Sequence, residues 1–179
     1  MELEAYVFET LEKVGIQRGH IVLDFGCGSG TYTLPAAEMV GNRGRVYAVD
    51  KDRKVLDELM QRAESEGLRN IVRMDTSVEP GIELPDESTD VILLFDVFHS
   101  YYFSRVADRR ELLDEVYRIL KPGGLLSVYP KHMESEARAE LENANFYVES
   151  EFSGTLVHNS KDLEKGQVLT FRKKILEVK

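Results

Sequence analysis

Apolar positions along the chain follow two distinct periods. Between Leu3 and Val14 they recur at Leu3, Val7, Leu11 and Val14, the spacing of one helix face, and Gly15 ends the run. HIVLDF (20–25) is a short continuous apolar run, which predicts a strand buried on both faces. Residues from about 33 to 40 predict a helix, with Pro35 in its first turn, where a missing N–H costs nothing. After the turn residues Gly41, Asn42 and Gly44, GRVYAVD (44–50) predicts a second strand. Asp52 is placed to N-cap a helix running to about Glu66, and Gly67 to close it.

NIVRMD (70–75) predicts a third strand, a loop with Pro80, Gly81 and Pro85 follows, and DVILLFD (90–96) predicts a fourth. Residues 109–120 have helical spacing at Leu112, Leu113, Val116, Ile119 and Leu120, stopped by Pro122-Gly123-Gly124. LLSVYP (125–130) predicts the fifth strand and 135–143 another helix. Two further strands are predicted at about 147–157 and 167–173, joined by a loop (158–166) that carries His158 into solvent. Alternating strands and helices ending in a hairpin predict an α/β fold. Its sheet is expected to have seven strands, to be mostly parallel and doubly wound, with helices on both faces and an antiparallel C-terminal edge hairpin. There is no repeat, low-complexity segment or linker, so residues 1–179 are expected to form a single domain.

Composition narrows the function. The 179 residues are 42% hydrophobic and 31% charged, ordinary for a folded globular protein, with no apolar run of the eighteen or more residues needed for a membrane span. The acidic, amphipathic start MELEAYVFETLEKV is unlike a signal or transit peptide. The single cysteine, Cys27, cannot form an internal disulfide, so a cytoplasmic location is expected. A formal net charge of −9 argues against nucleic acid as a partner. The densest basic groups (Lys51, Arg53, Lys54; Arg105, Arg109, Arg110) are interleaved with acids and read as solvated helix faces.

The first strand runs into VLDFGCGSGTY, with glycines at 26, 28 and 30. In a doubly wound sheet ligands bind at the carboxyl ends of the strands, where glycine lets the backbone come close. A dinucleotide fingerprint would need a third glycine at Thr31, and Asp24 is poorly suited to a pyrophosphate but well suited to a cation. No Gly-Lys-Ser/Thr follows, which excludes a P-loop.

D-x-G-x-G-x-G after a strand resembles the first motif of class I S-adenosylmethionine-dependent methyltransferases. The resemblance extends through Asp50 and Asp75 at the ends of the second and third strands, LPDESTDVILLFDVFH, and ELLDEVYRILKPGGLLSVYP, spanning roughly residues 22–130. It implies a Rossmann-like fold and S-adenosyl-L-methionine as cofactor, with S-adenosyl-L-homocysteine as product. By the same resemblance, Asp24, Gly26, Cys27, Gly28, Gly30, Tyr32, Asp50, Lys51, Asp75, Thr76 and Phe95 form the cofactor site. Asp50 is expected on the ribose hydroxyls, Asp75 on the adenine amino group, and Tyr32 over the methionine end.

The family's signatures also exclude acceptors. Asn/Asp-Pro-Pro-Tyr is replaced by Phe95-Asp96-Val97-Phe98, so methylation of base or glutamine amino groups is not expected. The one cysteine lies inside the glycine loop, which removes cytosine C5 and arsenite chemistry. Tyr129-Pro130-Lys131-His132 stands where metal-dependent members carry Asp-Asn, so no metal is expected. What remains resembles small-molecule methyltransferases, including quinone-biosynthesis-like members, that transfer the methyl group by in-line displacement. The loops after the fourth and fifth strands should supply Asp96, His99, Tyr101, Tyr102, Tyr129, Lys131 and His132 to the acceptor pocket, with His99 the general-base candidate. About twenty residues precede the first strand. Residues 1–14 then act as a short lid, the site is open, or a second subunit closes it, as in a homodimer. The alternative function is a non-catalytic sensor of the cofactor or a partner subunit with the same fold. A nucleotide-dependent oxidoreductase is disfavoured by the glycine spacing and Asp24.

Overall fold

A computed structural model describes residues 2–76, 81–131, 133–158 and 161–175. The elements are α1 (Glu2–Val14), β1 (Ile21–Phe25), α2 (Thr33–Val40), β2 (Arg45–Asp50), α3 (Arg53–Ser65) and β3 (Ile71–Asp75). They continue with β4 (Thr89–Phe95), α4 (Val106–Ile119), β5 (Leu120–Tyr129), α5 (Glu134–Asn143), β6 (Phe146–His158) and β7 (Asp162–Lys173). One sheet holds all seven strands in the order β3-β2-β1-β4-β5-β7-β6. Pairing is parallel from β3 to β5, and β7 runs antiparallel to both its neighbours.

Side chains alternate across each strand, so a continuous apolar run feeds two cores. Val22, Val46, Ala48, Val91 and Leu93 face α1, α2 and α3, where Leu11, Leu34, Val40, Leu56 and Leu59 meet them. Leu23, Val49, Ile92, Leu94, Leu126 and Val128 face the other way, onto Leu112, Leu113 and Val116 of α4 and Ala137 and Leu141 of α5. Asp52 caps α3 as expected, accepting from the Lys54 N–H at 2.9 Å. Between β3 and β4 the described residues (81–88) form no helix. Ile82 and Leu84 instead pack on the α4 face of the sheet, and Arg118 donates to both their carbonyls, at 2.9 and 2.8 Å.

Four expectations change. Strand β5 begins at Leu120 rather than 125, because Leu120 pairs with Thr89 before the register shifts. Lys121 is tied to Asp90, whose other oxygen accepts the Ile21 N–H, so three strands are pinned at the end away from the glycine loop. Helix α1 is no lid: Val7, Leu11 and Val14 are buried in the core. Arg109 is not solvated either. It is buried, donates to both oxygens of Glu140 at 2.7 Å, and reaches the Phe103 carbonyl at 2.6 Å.

The fourth change bears most on function. Residues 162–166, expected in a loop, belong to β7 and pair with residues 154–158 of β6. The β5–β7 pairing stops at Val128–Leu169, while the β6–β7 ladder continues to His158–Asp162. The hairpin therefore projects beyond the rest of the sheet, on the side where β1, β2 and β4 end. DLEKGQV carries no apolar alternation because this part of β7 has no core beneath it: Asp162, Leu163 and Lys165 are exposed, while Glu164 turns toward Tyr129 and Lys131.

Candidate active site

Strand order reverses between β1 and β4, and the glycine loop leaves β1 at that crevice. Gly26 and Cys27 donate their N–H groups to the Val49 carbonyl (2.8 and 3.0 Å), and Gly28 donates to Asp50 Oδ2 (2.8 Å). The loop is thus fastened to the end of β2. A Cβ on Gly26 would lie 2.9 Å from Val97 Cγ2, and one on Gly30 would lie 2.2 Å from Leu59 Cδ1, so those two glycines serve packing. Gly28 differs. Its φ is +52° and an added Cβ would meet nothing within 4 Å, so its α-carbon borders open space.

Two buried carboxylates flank this point. Asp24, 4% exposed, accepts from Thr33 Oγ1 at 2.6 Å. Burial pushes its carboxyl up to about 6; the Thr33 hydrogen bond opposes the rise and the Asp50 charge adds to it. Asp50 accepts the Gly28 N–H on one oxygen and the Asp52 N–H on the other (2.9 Å). Asp75 ends β3 next to Asp50 in the register, and its carboxylate is held by Arg73 through Nη2 (2.8 Å) and Nε (3.1 Å). These hydrogen bonds hold Asp75 below its usual range. The Thr76 N–H donates to the Asp50 carbonyl (3.2 Å). Burial, followed by the Asp24 and Asp50 charges, raises the Cys27 thiol well above its ordinary value, so it stays neutral. Lys51 Nζ sits 4.5 Å from the centre of the Tyr102 ring, linking the ends of β2 and β4.

Beyond β4 the chain turns through Asp96, which has φ +54°, a left-handed conformation uncommon for a residue with a side chain. Its N–H donates to the Tyr129 carbonyl (3.1 Å). Its carboxylate lies between two histidines: Oδ2 is 2.5 Å from His158 Nδ1, and Oδ1 is 3.5 Å from His99 Nε2. His99 is committed within its own turn. Nδ1 accepts the Tyr101 N–H (3.2 Å) and Nε2 lies 3.1 Å from the Asp96 carbonyl, so its lone pair does not face the crevice. That geometry does not suit the general-base role expected of His99.

Tyr32 is buried rather than spread over the ligand side. Its ring meets Phe95 edge-on at 4.8 Å, and its hydroxyl donates to the Val157 carbonyl (3.3 Å) and accepts the Val157 N–H (3.2 Å). This strut ties the hairpin end to the glycine loop. Tyr129 donates to Glu164 (2.8 Å), which also pairs with Lys131 (2.9 Å). Gly166 permits this approach, since a Cβ there would come within 2.5 Å of Tyr129 Cε2. Tyr101 is exposed, Tyr102 is partly so, and His132 lies outside the described residues. Among the described residues no group of three His, Cys, Asp or Glu side chains is arranged to hold a metal ion, and no helix is long and apolar enough to cross a membrane.

A family model described as "Methyltransferase domain" matches residues 22–124, more than half of the chain. The chain belongs to the methyltransferase-domain family. Among curated relatives, a demethylmenaquinone methyltransferase of Geobacillus sp. (strain WCH70) is 30% identical over 116 residues, 65% of this chain and 47% of that protein. A ubiquinone/menaquinone biosynthesis C-methyltransferase of Hydrogenovibrio crunogenus is 31% identical over 119 residues, 66% of this chain and 45% of the other. The chain thus spans about half the length of these relatives. A SAM-dependent methyltransferase from Aquifex aeolicus shares the fold at TM-score 0.77 and 24% identity, covering 95% of this chain and 92% of that one.

Within this methyltransferase domain, the residues named from the sequence assemble in two groups. Asp24, the three glycines, Cys27, Asp50, Lys51, Asp75 and Thr76 gather at the ends of β1, β2 and β3, while Asp96, His99, Tyr129 and Lys131 gather at the ends of β4 and β5. Sequence reasoning missed His158 and Glu164, which the hairpin brings to the second group. No local signal marked them, since Asp162-Leu163-Glu164-Lys165-Gly166 has neither strand alternation nor an apolar run.

Proposed function

We propose that the protein transfers a methyl group from S-adenosylmethionine to a small-molecule acceptor. The observation that carries this reading is the open space at Gly28 between the buried carboxylates Asp24 and Asp50. A ligand reaching Gly28 meets bare backbone with an anion on either side, which suits a cation bearing a diol. Each Asp50 oxygen accepts one backbone N–H and retains acceptor capacity for a ribose hydroxyl. We assign the adenine end to Asp75 and Thr76 and the methionine end to Asp24, whose buried carboxyl ionises more readily beside an amino group.

When bound, S-adenosylmethionine supplies a methyl group already activated on a sulfonium, so the protein need not create an electrophile. The chain's part is to orient the acceptor and exclude water. For the acceptor we propose a ring of the quinone/quinol class in its reduced, hydroxyl-bearing form, since the two curated relatives are named for menaquinone and ubiquinone/menaquinone methylation. The Asp96–Tyr129–Lys131 side of the crevice, roofed by the hairpin, is its proposed position.

Calorimetric titration of S-adenosylhomocysteine tests the cofactor half. Wild type should bind, and Asp50→Ala should weaken binding by about 1–3 kcal/mol. Undiminished affinity in the variant would remove Asp50 from the site. Incubating the protein with labelled S-adenosylmethionine and 1,4-naphthoquinol tests the acceptor half, with label in the quinol as the expected result. Binding without transfer to any small molecule would favour a sensor or partner subunit.

A further inference from the structure

We propose that His158, held by Asp96, is the general base that removes the acceptor's proton; this rests on the methyl-transfer reading above. The two residues are 62 positions apart in sequence and come from different elements, the end of β6 and the turn after β4. Their contact is an ion-pair approach of Nδ1 to Oδ2 at 2.5 Å, too close for two lone pairs to face each other, so Nδ1 carries a proton. A carboxylate accepts only, so the neutral imidazole carries its proton on Nδ1 and presents its lone pair at Nε2. His158 therefore has the tautomer that a base requires, whereas His99 has its Nδ1 lone pair occupied by the Tyr101 N–H.

Three further observations place this dyad at the site rather than on an indifferent surface. Asp96 adopts a left-handed backbone conformation (φ +54°), uncommon for a residue with a side chain, and its carboxylate lies between two histidines. The neighbour of His158, Val157, is bonded on both its N–H and carbonyl to the Tyr32 hydroxyl, two residues past Gly30. The His158 side chain is 25% exposed, enough to be reached from outside. Facing the dyad are His99 from its own turn, Glu164 of β7, and Lys131 beyond β5, which pairs with Glu164.

The step balances without any other reagent. The acceptor O–H bond breaks toward His158 Nε2, and its electron pair, directly or through the conjugated ring carbon, forms the new bond to the methyl carbon. The electrons of the broken C–S bond return to sulfur, leaving a neutral thioether. The imidazolium formed on His158 is stabilised by the Asp96 carboxylate. For a ring-carbon acceptor, the ring proton then passes to water and the imidazolium returns its proton to the ring oxygen, which restores the aromatic quinol and the neutral His158. Asp96 is then a positioning residue and His158 the catalytic one.

The test uses the full chain, ¹⁵N-labelled and saturated with S-adenosylhomocysteine. Two-bond ¹H–¹⁵N spectra at alkaline pH identify the histidine tautomers, with His158→Gln assigning the resonance. The expected pattern is a protonated Nδ1 and bare Nε2 in wild type, shifting toward protonated Nε2 in Asp96→Asn, a substitution that tolerates the left-handed backbone. His158→Gln should lower kcat toward 1,4-naphthoquinol about 100-fold or more, while Kd for S-adenosylhomocysteine stays within twofold. A protonated Nε2 in wild type overturns the proposal whatever the activity, and so does an unchanged kcat in His158→Gln. Failure of wild type to bind S-adenosylhomocysteine would instead overturn the cofactor reading, so the two failures are distinguishable.

Discussion

Replacing Asp24 with Asn should make the ligand-free protein more stable, although Asp24 lies at the centre of the site. The Asp24 carboxyl rises from an ordinary 3.8 to about 6 because it is buried, with one hydrogen bond from Thr33 and the Asp50 charge nearby. A folded-state pKa above the unfolded one means that the contribution of this group is fully present below about pH 4. It is lost as pH rises through about 6, as the folded chain is forced to hold a desolvated anion. The full loss corresponds to about 3 kcal/mol, reached near pH 8, and to about half of that at pH 5. Asn is isosteric, never ionises, and its side-chain carbonyl still accepts the Thr33 hydroxyl. Urea denaturation of both proteins from pH 5 to pH 8 should give curves that diverge, with the variant ahead by about 3 kcal/mol at the alkaline end. The same variant should bind S-adenosylhomocysteine more weakly, since its amino group loses the anion. A stability difference that is flat with pH, or a variant weaker than wild type at pH 8, would refute the account of Asp24 as a strained, ligand-directed charge.

Gly28→Ala should lower stability by about 1–2 kcal/mol, from placing a side chain at positive φ, yet keep the circular dichroism spectrum. Its Cβ fills the open space, so calorimetry should detect little or no S-adenosylhomocysteine binding. Tyr32→Phe strips the Val157 N–H and carbonyl of their shared partner and should cost about 1–3 kcal/mol. Hydrogen exchange at residues 155–158 should quicken more than in the rest of the sheet. Arg109→Ala leaves Glu140 and the Phe103 carbonyl without their donor and should cost about 3 kcal/mol in thermal or urea unfolding. Arg110→Ala, removing an exposed pair with Asp114, should cost under about 1 kcal/mol.

The extent of the molecule legible in its sequence differs from one end of the chain to the other. From Ile21 to Phe95 the expected strands and helices match the observed bounds within a residue or two, because each strand is a short segment rich in apolar residues between turn signals and each helix has a marked stop. The glycine loop was legible for the same local reason, as Gly26, Gly28 and Gly30 all have positive φ, which favours glycine. Legibility fails where an element is shaped by distant partners. Leu120 becomes a strand residue only because Thr89 pairs with it, and the first half of β7 exists only because β6 lies alongside.

The same division holds at the site. Local sequence was enough to determine a parallel α/β sheet with a glycine loop at its switch point, and carboxylates at the ends of β1, β2 and β3. Those features follow from periodicity and backbone conformation, which neighbouring residues control. Tertiary structure alone decided how each side chain is used. Tyr32 became a strut because Val157 arrives beside it, and His99 lost its lone pair to a turn N–H. His158 gained a carboxylate from 62 residues away. Hydrogen-bond partners and desolvation are set by what the fold brings within about 3 Å of an atom, and no pattern of neighbours along the chain carries that information.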